Sequence, residues 1–302
     1  MDWQKPIPIL HALYMIVGSM FVICGIVAMC FKDWGKRVVH YDPVLTSIIQ
    51  TGSEREALPT EYLLELLDLS YDRPMPVKNL EKKKLEKRLL ASPLIRSAKV
   101  DLIKPGTLYV DYEIRRPIAL LEDYVNIAID KEGYPIPLSP FFSPKNLPAF
   151  YLGLGPFGIP PKDKNKPLAA WHEPLRGQLI ELCFSILSCV SALDVCDQFA
   201  IQRIDVSSAL AGSSGRREVV VITQDVFMRH IEGHDVEYRQ KRFLRLHPKH
   251  FAKDLGNYLS LRKQLLEQEQ NQLATLTYTS PCVHLKDKVL DFRLDQLAFI
   301  SE

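Results

Sequence analysis

The sequence has little net charge: 38 Lys+Arg against 36 Asp+Glu leave +2 over 302 residues. No global basic field is present to attract nucleic acid. Its six cysteines are too few to frame a small disulfide-built domain, and none stands in a Cys-x-x-Cys pair. A P-loop, a Gly-x-Ser-x-Gly elbow and a His-Glu-x-x-His helix are all missing. The common signatures of phosphate cradling, nucleophilic serine chemistry and zinc hydrolysis are therefore absent. Charged residues make up only 25% against 47% hydrophobic, a composition that folds rather than staying disordered. The length accommodates two modest domains or one large one, with ample chain for a core.

One long apolar run is present. Residues 7–31 contain no Asp, Glu, Lys or Arg. As a helix, the run would extend roughly 37 Å, enough to cross a hydrocarbon layer of about 30 Å. It is longer than a signal-peptide core and ends in Met29-Cys30-Phe31-Lys32, which lacks the small residues of a cleavage site. We expect a retained single-pass anchor after a short tail, residues 1–6. The flank before it carries Lys5 and Asp2, and the flank after it Lys32, Lys36 and Arg37. That imbalance favours a cytoplasmic C-terminal bulk, yet long domains translocate largely regardless of such charges, so charge leaves the side open.

Residues 32–43 read as a linker, followed by a β-like run over 45–52. Pro59 opens a helix reaching Leu69, and Asn79 is the expected N-cap of a second helix ending near Leu90, with Leu85 and Leu89 on its apolar face. Ala98, Val100 and Leu102, then Leu108, Val110, Tyr112 and Ile114, alternate with polar residues around a Pro105-Gly106 turn, the pattern of a β-hairpin. The order strand, helix, helix, strand, strand lays two helices on one face of a small sheet. Beyond Pro117, Val125, Ile127 and Ile129 alternate before a turn at 130–133. Residues 135–167 read as mostly loop, 174–194 as an apolar helix that includes Leu193, and 218–227 as a strand. Residues 248–272 read as an amphipathic helix and 289–300 as a strand-like tail. The fold class is α+β.

Gly153-x-Gly155-x-x-Gly158 matches a dinucleotide fingerprint formally, but Pro156, Pro160 and Pro161 forbid the helix it needs. His230 and His234 with Glu232 have the wrong spacing for a zinc hydrolase, and with His247 and His250 they read as surface or packing histidines. Cys183, Cys189 and Cys196 fall in or near the apolar helix, where free cysteine packs like a small hydrophobe, and a bridge to Cys282 is left open. Residues 239–263 hold eight Lys/Arg interleaved with aromatics; acidic interruptions favour a solvated helix face over single-stranded nucleic acid.

With these elements in order, the chain resembles the FtsQ/DivIB family of bacterial cell-division proteins. The resemblance rests on Pro93-Leu94-Ile95, Ala98, Val100, Pro105, Thr107-Leu108, Val110 and Arg115-Arg116-Pro117-Ile118-Ala119. Ile129-Asp130 with Gly133, Leu147-Pro148 with Gly153, and Leu290-Asp291-Phe292-Arg293 at the tail extend it. It covers about residues 5–153 and the tail. Ile114 stands where the family has a glutamate, and no glycine follows Arg293.

The resemblance implies a POTRA domain over residues 44–117 and an FtsQ-type β domain over 118–302. It implies an N-terminus in the cytoplasm of a bacterial cell and the bulk outside the inner membrane. The implied role is a non-enzymatic scaffold binding FtsB- and FtsL-type partners, with no cofactor, metal, nucleic acid or small-molecule substrate. A terminal strand with an open edge can accept a partner strand, which makes Arg293, Leu294, Leu297 and Phe299 the contact candidates. The competing role for Leu294 and Phe299 is filling the β-domain core. A POTRA-bearing envelope or secretion assembly factor, and an anchored envelope enzyme, are the alternative functions.

Overall fold

The computed structural model describes residues 7–37, 43–52, 57–70, 72–73, 75–103, 105–143, 146–163, 166–192, 199–231, 234–273, 282–294 and 297–301. Helix α1 spans Ile7–Arg37, running past the expected anchor into the first half of the expected linker. Within it, His11–Cys30 has mean hydropathy 2.3, and none of this span is buried against the rest of the protein. It is one helix long and apolar enough to cross a membrane. In lipid such a segment must satisfy every backbone group internally, which a helix does.

Strand β1 (Ser47–Gly52), helices α2 (Thr60–Leu67) and α3 (Lys82–Leu90), and strands β2 (Ile95–Ile103) and β3 (Thr107–Ile114) follow. The three strands form a sheet in the order β1-β3-β2, with β1 parallel and β2 antiparallel to β3. Leu63, Leu67, Leu85 and Leu89 bury one face of each helix against Val100, Leu108 and Val110 of the sheet. Helix α2 starts after Pro59 and ends at Asp68 in the left-handed region, and Arg88 Nη1 donates to the Leu67 carbonyl at 2.6 Å. That bond satisfies one of the carbonyls a helix terminus leaves open. Gly106 has a steric reason: a Cβ there would collide with the Val44 carbonyl.

Asn79 does not cap α3. It closes a separate 3₁₀ turn, Val77–Asn79, and the helix starts at Lys82 after Glu81. Between them Leu80 is extended (φ −89°, ψ 108°) and buried, a placement that a continuous helix would not give it.

The larger sheet has ten strands: β4 (Pro117–Leu121), β5 (Ile127–Asp130), β6 (Pro135–Pro137), β7 (Ala149–Tyr151), β8 (Phe199–Asp205), β9 (Val219–Ile231), β10 (His234–Leu246), β11 (Cys282–His284), β12 (Lys288–Asp291) and β13 (Phe299–Ser301). Their spatial order is β13-β12-β10-β9-β8-β7-β4-β5-β6, with β11 also on β10. Helices α4 (Gln178–Ala192) and α5 (Phe251–Leu273) supply Leu179, Ile186, Leu255 and Tyr258 to a core with Leu121, Phe150, Val221 and Leu244. Ala128 of β5 alternates with Ile127 and Ile129, so it faces away from that core; with Ile136 and Phe142 it joins the core of the first module. The two modules therefore meet through apolar contact, including Tyr62 against Phe141 at 4.8 Å.

An ion-pair group seals this junction. Arg115 Nη1 donates to Asp130 at 2.7 Å and Glu132 at 3.2 Å, and its guanidinium lies 3.7 Å over the Tyr134 ring. Asp130 also accepts from the backbone N–H of Glu132 and Tyr134 at 2.9 and 2.8 Å. Arg96 of β2 reaches Glu132 as well, tying the small sheet to the same turn.

Other sequence expectations change in detail. Val125 is 94% exposed rather than part of β5, because Asn126 next to it adopts φ 61° and bonds both backbone groups of Ser139. Residues 135–167 are mostly loop, as expected, but hold β6 and β7, the latter a short strand held in parallel between β4 and β8. The tail is two antiparallel strands, β12 and β13, rather than one. Residues 239–246 belong to a strand, so the basic stretch is not one solvated helix face, and its Arg242 and Arg262 are buried. Leu193 and Cys196 lie outside the described residues; Cys183 and Cys189 are free thiols.

Candidate functional site

Along the inward face of β9 and β10 the side chains change character. Val219, Val221, Leu244 and Leu246 are apolar, whereas Thr223, Asp225, Gln240 and Arg242 form a buried polar island. Helix α5 answers it. Arg262 donates to Asp225 from Nε at 2.8 Å, Arg242 pairs with Asp225 and donates to Glu269 at 2.6 Å, and Lys288 of β12 reaches Glu269 at 2.9 Å. Burial pushes the Arg262 guanidinium below its ordinary value, against an opposing pull from Tyr258. This group fixes α5 on the sheet and fastens the start of β12.

Beyond β12 the chain turns back as β13, which pairs with β12 at Val289↔Ser301, Leu290↔Ile300 and Asp291↔Phe299. Strand β13 ends the sheet, and among the described residues no strand lies on its other side. Leu294, Leu297 and Phe299 are 58%, 58% and 57% exposed, and Ile300 45%. Leu294 and Phe299 therefore do not fill the core. A short strand edge carrying the exposed Phe299 and Ile300, with Leu294 and Leu297 exposed in the connection before it, is a template for strand addition.

Arg293 stands apart from the other three candidates. Its Nε and Nη2 donate to Asp291 at 2.9 and 2.7 Å, its Nη1 lies 3.2 Å from Glu218, and Nη1 also donates to the Gly215 carbonyl at 3.1 Å. Asp291 and Glu218 in turn pair with Arg245 of β10. Burial pushes the Asp291 carboxyl up, but hydrogen bonds from Arg293 and the charges of Arg293 and Arg245 outweigh it and hold the group below the usual carboxylate range. The same hydrogen bond to Asp291 raises Arg293. Arg293 thus braces the base of the β12–β13 hairpin, while the apolar residues form its exposed edge. Ile300 was not among the sequence candidates; its alternation with Phe299 was the signal available.

The remaining sequence motifs separate in space. His230 ends β9 and His234 begins β10, and His230 Nδ1 shares a hydrogen bond with Asp235 at 2.9 Å. His247 and His250 stack at 5.0 Å at the entry to α5. Among the described residues no three His, Cys, Asp or Glu side chains gather as a metal site. Gly153 and Gly158 take positive φ in a loop with no helix after it, and the Tyr124 hydroxyl donates to the Gly155 carbonyl at 2.6 Å. No family model matches the chain, and no curated protein matches it significantly.

Proposed function

We propose that the protein is a membrane-anchored, non-enzymatic scaffold of the bacterial division machinery, of FtsQ/DivIB type. On this reading α1 holds it in the inner membrane with the N-terminus in the cytoplasm and the bulk outside. Residues 44–117 act as a POTRA domain, and residues 118–302 as the partner-binding β domain. The observation that carries the reading is the succession along one chain. An apolar span is followed by a strand-helix-helix-strand-strand module, then by a large sheet ending in an exposed apolar edge.

The mechanism is strand addition. A strand of an FtsB- or FtsL-type partner pairs with the outward backbone groups of β13, while Leu294, Leu297, Phe299 and Ile300 lose their contact with water. The strand is only three residues long, so backbone bonds alone are few. Burying the exposed half of each side chain supplies roughly 1 kcal/mol apiece before association costs.

Co-purification of FtsB- and FtsL-type partners with the full chain tests the contact. Phe299→Glu and Leu297→Pro alter exposed positions and are expected to abolish capture while circular dichroism stays native. Unchanged capture by both variants refutes the edge mechanism. Depletion of the protein tests the role itself: septal wall label is expected to disappear while cells elongate. Normal septa with a secretion or envelope defect would assign the protein to envelope assembly instead.

A further inference from the structure

A cleft of about 570 Å³ lies between the start of α4, the loop before β9 and the β10–α5 connection. Arg217, Lys249, His247 and Ser214 line it together with Leu182 and Leu210. Among the described residues that line it, none is acidic. Its volume lies within the range of small-molecule sites, which are largely apolar with a few placed polar groups.

Arg217 and His247 are preorganised. Arg217 Nε donates to the Ala211 carbonyl at 2.6 Å and Nη2 to that of Gly212 at 3.5 Å; neither bond uses Nη1. His247 Nδ1 accepts the backbone N–H of Lys249 at 3.2 Å, so in the neutral ring Nε2 carries the hydrogen and donates. The backbone N–H of His247 donates to Asp254 at 2.9 Å, which holds the connection against α5. Burial raises the Asp254 pKa, against the lowering pull of the His247 backbone N–H. One anchored guanidinium, an exposed ammonium, a donating imidazole and no lining carboxylate make a receptor for an anion; Leu182 and Leu210 make room for an apolar group beside it.

We propose that this cleft binds a small amphiphilic anion, one phosphate or carboxylate group held between Arg217 and Lys249 with its apolar part on Leu182 and Leu210. The loop that supplies Ser214 and Arg217 also gives the Gly215 carbonyl to Arg293, so the cleft shares a wall with the base of the docking hairpin. The proposal does not depend on the division role, and its test needs no partner.

The experiment is thermal unfolding of the detergent-solubilised full chain in inorganic phosphate, in acetate and in chloride at matched ionic strength. Ligand binding to the folded state raises the midpoint with concentration. A rise in phosphate alone assigns a phosphate group, and a rise in acetate alone a carboxylate. An equal response to all three anions is screening and overturns the proposal, as does no response to any. Lys249→Gln is expected to weaken the selective anion about tenfold. Arg217→Gln should weaken it at least as much, but it also frees the loop, so Lys249→Gln decides the matter. A Lys249→Gln chain that responds like the parent overturns the assignment.

Discussion

Replacing Glu269 by Leu removes the carboxylate that meets Arg242 and Lys288 under α5. Arg242 is fully buried and Glu269 nearly so, while Lys288 keeps some access to water. After the change Lys288 can rehydrate, but Arg242 keeps only Asp225, which Arg262 also claims. Breaking one partner of a buried pair leaves charge uncompensated at a cost of about 3–5 kcal/mol, and the surviving Asp225 contact places this case near about 3 kcal/mol. For a domain of this size that is a fall in melting midpoint of roughly 6–12 °C. Thermal circular dichroism of the full chain in detergent measures it. The double change Glu269→Leu with Arg242→Met leaves Asp225 to Arg262 and removes the stranded charge. It is expected to melt no lower than Glu269→Leu alone. A single-variant shift under about 2 °C, equivalent to less than about 1 kcal/mol, would show that α5 does not depend on this group and refute the reasoning.

Two other expectations follow from the ion pairs. Arg115→Ala strands the buried Asp130 at the junction of the two modules, costing about 3 kcal/mol; hydrogen exchange over residues 127–137 should accelerate, and unchanged protection there would show that apolar contact alone holds the junction. The Asp291 carboxyl has a lowered folded pKa, so its contribution is present above the unfolded value of about 3.9 and is lost as pH falls through the lower folded one. Asp291→Asn should therefore cost about 1–2 kcal/mol at neutral pH, with the difference from the parent closing in acid; a difference that persists below the folded value argues against charge pairing with Arg293.

Local pattern was readable wherever neighbouring residues decide the outcome. The run of residues 7–31 without a charge, the Leu85/Leu89 face and the alternation about Pro105-Gly106 each specify an element through its own period. Where a distant segment decides, the pattern misled. Asn79 is a good cap residue, yet burial of Leu80 moved the helix start to Lys82. Ala149–Tyr151 lies in a stretch dense with proline and becomes a strand only because β4 and β8 flank it. The contact candidates were legible as residue types, and their exposure was not.

The amino-acid sequence by itself determined the apolar helix, the order of strands and helices in the first module and the apolar character of the tail. These depend on composition and on side-chain period along a few turns of chain. Only the tertiary structure decided that 288–301 folds back as a hairpin, that Arg293 braces it while Leu294, Leu297 and Phe299 face solvent, and that the charges of Arg242 and Arg262 lie beneath α5. An alternating strand reads the same on an edge as in a core, and an arginine reads the same in water as against a buried aspartate; the difference lies in what the rest of the chain brings to the other side.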